Sequence, residues 1–193
     1  YRSRQLLVDR RALVYDDDDW SEVGSFDADN LSKIYREPNA AAIIDTETSS
    51  ATDYRDHRMT NTYELLFLRS HGYPGGHGFY TNSRSQFAYV HSLDYLEQLP
   101  PALFYSFYVC SGADFTATNY LAGTAAFNAG DSGLLSWGST KTGGMWNETL
   151  FYERLAQGDS PGEAFRMWFN NATNWGAIYM ESWWYGMVLI GDA

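Results

Sequence analysis

The strongest constraint on the fold is a set of six short apolar runs, each of which stops at a polar residue or at glycine. Short, nearly continuous runs of this kind are typical of strands buried on both faces, as in a parallel sheet. Segments with helical character lie between them, and this alternation predicts helices on both faces of an open sheet. We therefore expect an α/β fold, a three-layer α/β/α sandwich with a mostly parallel six-stranded sheet. The runs cover residues 12–15, 41–44, 64–68, 103–109, 133–137 and 186–190.

Composition limits the possible functions. The 193 residues, 45% of them hydrophobic, suit one domain over residues 1–193. The net charge of -11 argues against a nucleic-acid partner and is compatible with a basic peptide substrate or a bound cation. A single cysteine excludes an internal disulfide. No apolar run reaches the roughly 18 residues of a membrane span, and the oligomeric state cannot be inferred.

Two reactive side chains directly follow apolar runs. His71 comes after the third run and Cys110 after the fourth. Sites on open parallel sheets collect beyond the carboxyl ends of the strands. If these two strands are neighbours, the imidazole can activate the thiol. The backbone N–H groups of Gly72 and Cys110 would then form an oxyanion hole.

Around these residues the sequence resembles the caspase–gingipain group of cysteine peptidases (clan CD), and within it the gingipain-type family. The group has one apolar strand that ends in His-Gly and another that ends in the nucleophilic cysteine, as at His71 and Cys110. The resemblance extends over roughly residues 10 to 193. The matching stretches are LLFLRSHG at 65–72, FYSFYVCSG at 104–112, GLLSWGST at 133–140, FYERLAQG at 151–158, PGEAF at 161–165 and LIGD at 189–192.

The resemblance implies a caspase-like fold and a cysteine endopeptidase that needs no cofactor. His71 would be the general base and acid, and Cys110 would form a thioester with a peptide or protein substrate. The family works as a His-Cys dyad, which requires no third acidic residue, and its members are usually exported, so we expect an extracellular or cell-surface location. Tyr108-Val109 replaces the caspase Gln-Ala, which argues against an aspartate-specific pocket. The alternative function is a catalytically silent binding or scaffold module.

Four consecutive aspartates, Asp16 to Asp19, end the first apolar run. One interpretation places Asp17 or Asp18 in a pocket that binds a substrate Arg or Lys before the scissile bond. A second interpretation is a structural calcium site, and a third is a solvated turn.

Two tryptophans flank a glycine-rich loop after the fifth run. Trp137 and Trp146 either line the substrate groove, as loops at this position do in the resembled family, or pack in the core. His77 also precedes a glycine, but Pro74 and two glycines come before it in place of a strand. We therefore expect His77 to be a loop residue and not the catalytic base.

Overall fold

The computed structural model describes residues 11–20, 22–35, 41–43, 49–81, 84–97, 102–127, 133–172 and 184–192. Nine strands lie in this part of the chain: β1 Ala12–Asp16, β2 Ala41–Ile43, β3 Tyr63–Arg69, β4 His71–Tyr73, β5 Gly76–Thr81, β6 Gln86–His91, β7 Ala102–Tyr108, β8 Leu135–Ser139 and β9 Met187–Gly191. The helices described are α1 Gly24–Ser32, α2 Ala51–Asp53, α3 Asp94–Glu97, α4 Leu121–Ala126, α5 Thr149–Ala156 and α6 Pro161–Ala172. A 3-10 turn covers Asp18–Trp20, and α2 continues as a π-helical turn over Tyr54–Arg58.

The main sheet has the strand order β2-β1-β3-β7-β8-β9. The first five strands are parallel, and β9 pairs antiparallel with β8 at the edge. Each apolar run of the sequence supplies one of these strands. The predicted α/β class with a mostly parallel sheet is confirmed.

Alternation of side chains along the strands produces a core on each face of this sheet. Leu13 and Tyr15 of β1 pack on one face with residues of α2, α3 and α4. Ala12 and Val14 pack on the other face with residues of α1, α5 and α6. Both faces are covered, so the parallel strands are buried on both sides and read as continuous apolar runs.

A second, antiparallel sheet of order β4-β5-β6 follows β3 and was not predicted. The description as six strands is therefore not exact for the chain. Pro74 and Gly75 form the two-residue turn between β4 and β5. Phe79 and Val90 anchor the small sheet in the core that contains α2, α3 and α4.

The topology places the carboxyl ends of β1, β3 and β7 side by side. In the β3–β7 pair, Arg69 lies opposite Tyr108. The pairing extends one step further, since Ser70 N donates to Tyr108 O at 3.1 Å. The neighbour relation on which the His71–Cys110 hypothesis depended is therefore present.

Within the part of the chain described here, no helix combines the length and the hydrophobicity needed to cross a bilayer.

Candidate active site

His71 is the first residue of β4, immediately beyond the end of β3. Its Nε2 atom lies 2.6 Å from Asp19 Oδ2, and its ring is 4.5 Å from the Trp20 ring. A carboxylate can only accept a hydrogen bond, so Nε2 carries the proton in this pair. Nδ1 is therefore the nitrogen left to take up and release a proton.

Asp19 is the functional candidate that sequence reasoning missed. It belongs to the 3-10 turn after β1, next to β3 in the sheet. It also contacts Arg84, whose Nη1 lies 3.2 Å from Oδ2. The run of four aspartates at the end of the neighbouring strand indicated that a carboxylate could lie near His71. The sequence did not indicate which of the four would contact the histidine.

Cys110 follows β7 after one residue and is partly exposed. The backbone N–H of Gly143 donates to its sulfur at 3.3 Å. The next residue, Ser111, has a φ of 56°, a left-handed conformation that is uncommon outside glycine. Its N–H donates to Lys141 O at 2.6 Å, which holds the sharp turn in place. Strained turns of this kind concentrate at functional sites.

Gly72 allows the segments that carry His71 and Cys110 to approach each other closely. A Cβ atom at position 72 would overlap with Val109 Cγ1, so only glycine fits there. Among the residues described, His71 hydrogen-bonds to Asp19 and makes no hydrogen bond to Cys110. Catalytic hydrogen bonds are often long or poorly aligned until substrate binds.

Strand geometry also defines the direction of the Gly72 N–H. Ser70 donates its N–H to Tyr108 in β7, and N–H directions alternate with a period of two along an extended chain. The Gly72 N–H is therefore expected to point the same way, toward the residues after Tyr108. The two-residue turn agrees, because its closing pair, Tyr73 and Gly76, leaves Gly72 at a non-hydrogen-bonded position of the β4–β5 ladder.

Asp17 does not have the role that the sequence suggested. It is 1% exposed, and its carboxylate accepts the N–H groups of Asp19 at 3.0 Å and Tyr80 at 2.7 Å. Burial raises the pKa of Asp17 above its ordinary value. A substrate guanidinium cannot reach this carboxylate, so the pocket assignment is wrong for Asp17. Asp17 instead holds the turn that presents Asp19.

Asp18 is partly buried and accepts the Ser49 hydroxyl at 2.9 Å. This bond ties the aspartate run to the segment before α2, and nothing places Asp18 in a substrate pocket. The interpretation of the run as a solvated turn is also wrong for Asp16 and Asp17, both of which are buried.

Ligand atoms of Asp17, Asp19 and His71 lie within 4.8 Å of one another. Calcium prefers about six to eight oxygen ligands, whereas this group includes a ring nitrogen, and both Asp17 oxygens already accept backbone N–H groups. The contacts fit a hydrogen-bonded network around His71. Calcium binding stays a prediction without support from this cluster.

The two tryptophans have different environments. Trp137 is 1% exposed, and its ring lies 5.2 Å from that of Phe151. It belongs to the core, so the groove-wall role is wrong for Trp137. Trp146 is 40% exposed and stands beside a cavity of about 360 Å³. The cavity is lined by Val23, Phe26, Arg69, Met145, Trp146, Asn147 and Glu148.

A buried ionic cluster forms the inner end of this cavity. Two Arg69 nitrogens each lie 2.6 Å from an Asp27 oxygen, and Nη2 lies 3.1 Å from Glu148 Oε1. The guanidinium is 4.0 Å from the centre of the Tyr108 ring. Burial raises the pKa of Asp16 and of Glu148 well above their ordinary values, and the neighbouring Asp27 adds to both shifts. Asp27 and Glu148 thus pair with one guanidinium, and Asp16 lies close enough for the charge of Arg69 to lower its pKa.

His77 is a strand residue, contrary to the loop placement expected from the sequence. It lies in β5, is fully buried, and its Nε2 is 3.0 Å from the Tyr95 hydroxyl. Burial lowers its pKa to about 3. Because it is fully buried, His77 cannot reach a substrate and cannot serve as the catalytic base.

No protein-family model matches this chain, and no curated protein gives a significant match. The likeness to gingipain-type peptidases therefore rests on the sequence motifs alone.

Proposed function

We propose that this protein is a cysteine endopeptidase that uses His71 and Cys110. The observation that carries the proposal is their placement just beyond the carboxyl ends of two adjacent parallel strands, β3 and β7. The close packing of Gly72 on Val109 supports it, because it joins the two segments at that edge. Substrate sites of open α/β sheets collect there.

The reaction follows from the roles of these groups. Nδ1 of His71 takes the proton of the Cys110 thiol, and the sulfur attacks the carbonyl carbon of the scissile peptide bond. The N–H groups of Gly72 and Cys110 stabilise the negative oxygen. His71 then gives its proton to the leaving amine as the C–N bond breaks. Water, deprotonated by His71, hydrolyses the thioester and releases the thiol and the new carboxyl end.

Asp19 is a positioning residue in this proposal. Its carboxylate accepts the His71 Nε2–H, fixes the tautomer and holds the ring in place, and it stabilises the imidazolium that forms during each proton transfer. The side chain of His71 is 32% exposed. Water therefore weakens the interaction below that of a fully buried pair.

We expect Asp19→Asn to lower kcat by about 10- to 100-fold and to leave KM nearly unchanged, because an amide can donate to Nε2 and so favour the wrong tautomer. Steady-state kinetics on one peptide substrate measure this split. Asp19→Glu should recover part of kcat. Asp18→Asn is the matched control, since Asp18 contacts Ser49. An equal loss of kcat in Asp19→Asn and Asp18→Asn would show that Asp19 has no specific role in the mechanism.

Digestion of a peptide library tests the activity itself. Because Cys110 is the sole cysteine, iodoacetamide modifies one known thiol. Untreated protein should cleave library peptides, alkylated protein should not, and His71→Ala should slow the alkylation. Absence of cleavage by the untreated protein, with a Cys110 that reacts equally fast in His71→Ala, would favour the silent scaffold module.

The same library reports the preferred residue before the scissile bond, for which we propose Arg or Lys. The loop that begins at Gly143, which contacts the Cys110 sulfur, leads to Trp146 and Glu148 at the cavity of about 360 Å³ described above. Glu148 lines that cavity, where its carboxyl oxygens can accept hydrogen bonds from a guanidinium or ammonium group, and the net charge of -11 also favours a cationic substrate side chain over an anionic one. Enrichment of acidic or apolar residues at this position would contradict the preference. Export to the extracellular space or cell surface, which the family resemblance implies, belongs to the same proposal.

A further inference from the structure

A row of aromatic rings on the small sheet begins at His71. The rings of Tyr80, Phe87, Tyr89 and His91 follow one another with centroid distances of 4.6, 4.7 and 6.1 Å. We call these four residues the aromatic strip. His71 contacts its first two rings at 5.1 and 6.2 Å. Residues 87, 89 and 91 share one face of β6 because side chains alternate along a strand.

The aromatic strip borders a groove that also contains His71. Its volume is about 390 Å³. Tyr73 closes one side, where its hydroxyl lies 2.9 Å from His91 Nδ1 and its ring 5.8 Å from that of Tyr89. Tyr89 is 52% exposed, so much of its apolar surface faces solvent. The groove is lined by His71, Gly72, Tyr73, Phe87, Tyr89 and His91.

The chemistry of the proposed reaction identifies what enters this groove. His71 must protonate the leaving amine, so that nitrogen has to come within hydrogen-bond reach of the imidazole. The residues on the leaving-group side of the scissile bond then start at His71. The acyl side instead faces Cys110 and the loop that begins at Gly143. The groove therefore continues from the general acid in the direction of the leaving peptide.

We propose that the aromatic strip binds the substrate residues that follow the scissile bond and selects aromatic or large apolar side chains there. This inference rests on the proposed peptidase activity. The Tyr80–Phe87 and Phe87–Tyr89 pairs are held edge to face, so they present both faces and edges to an incoming ring, which is the arrangement that aromatic pairs prefer. The strip thus determines specificity on the leaving-group side.

The test uses three substrates with the same acyl side. One is a peptidyl methylamide, whose leaving group is methylamine and offers no ring to the groove. The other two are internally quenched peptides that carry Phe or Gly in the first two positions after the scissile bond. The enzyme is compared with Tyr89→Ala and with Tyr185→Ala, a control on a tyrosine that is 61% exposed and is not among the groove-lining residues.

The wild-type protein should cleave the Phe peptide about tenfold more efficiently than the Gly peptide, a ratio set by aromatic contacts. Tyr89→Ala should lower kcat/KM for the Phe peptide about tenfold more than for the methylamide, and Tyr185→Ala should change neither. Equal losses on all three substrates, or no loss on the Phe peptide, would overturn the strip's role while leaving the peptidase activity intact. Failure of the wild type to hydrolyse any of the three would overturn the proposed function, and this inference with it.

Discussion

Replacing Cys110 with alanine is expected to lower kcat/KM for peptide hydrolysis by about 10⁴-fold or more. Loss of the nucleophile from a reacting unit of this kind costs up to about 10⁶ in kcat. His71→Ala should lower kcat/KM to a similar level, because a thiol without its base is protonated and unreactive toward amides. The measurement is hydrolysis of the best library substrate, with correct folding checked by denaturant unfolding.

The double variant Cys110→Ala/His71→Ala gives the sharper result. When two residues act as one catalytic unit, removing the second has no further effect once the first is gone. The double variant should therefore be no slower than either single variant. His57→Ala is the matched control, since His57 is 70% exposed and pairs with Asp53. Activity of Cys110→Ala within tenfold of the wild type would exclude the thioester mechanism.

The main sheet could be predicted from sequence because its strands are buried on both faces. Such strands need no alternation, and their polar ends mark the edge where sites form. The small sheet escaped prediction because β5 contains Gly76, His77 and Gly78, and β6 exposes Phe87 and Tyr89 to a groove. Apolar residues on an exposed face remove the polar-apolar contrast on which the prediction of a half-buried strand depends.

At the site, His71 and Cys110 were predictable because strand ends fix backbone position. The direction in which each side chain points could not be predicted in the same way. Asp19 reaches the histidine from the 3-10 turn Asp18–Trp20, which Asp17 holds by accepting the Asp19 N–H. Trp137 lies in a strand buried on both faces, where no pattern separates a core residue from a groove residue.

The ionic cluster around Arg69 could not be predicted from the sequence either. Arg69 lies 42 residues from Asp27 and 79 residues from Glu148 in sequence, so no local pattern relates them. They meet because α1 and the loop before α5 converge on the end of β3. This placement leads to a second prediction with a large effect.

Arg69→Met should lower the free energy of unfolding at pH 7 by about 3–5 kcal/mol, the cost typical of removing one partner from a buried ion pair. Arg69 is 4% exposed and pairs with Asp27 and Glu148, which are also buried, and its charge also acts on the buried Asp16. Urea unfolding followed by tryptophan fluorescence measures the change. Arg166→Met is the matched control and should have little effect, because Arg166 pairs with Glu163 on the exposed face of α6.

The loss should also depend on pH, with a sign that follows from the raised pKa values of Asp16 and Glu148. Their ordinary values are 3.8 and 4.5, and the folded protein keeps them protonated above that range. The folded state then binds more protons than the unfolded state, so their contribution to stability falls as pH rises through the raised pKa values.

Arg69 lowers the pKa values of both Asp16 and Glu148. Without Arg69 the two pKa values are higher, so the stability of the variant continues to fall up to a higher pH. The difference between wild type and Arg69→Met should therefore be small near pH 4 and grow toward pH 8. A difference that stays constant over this range would mean that Arg69 stabilises the fold through packing against Tyr108 rather than through charge.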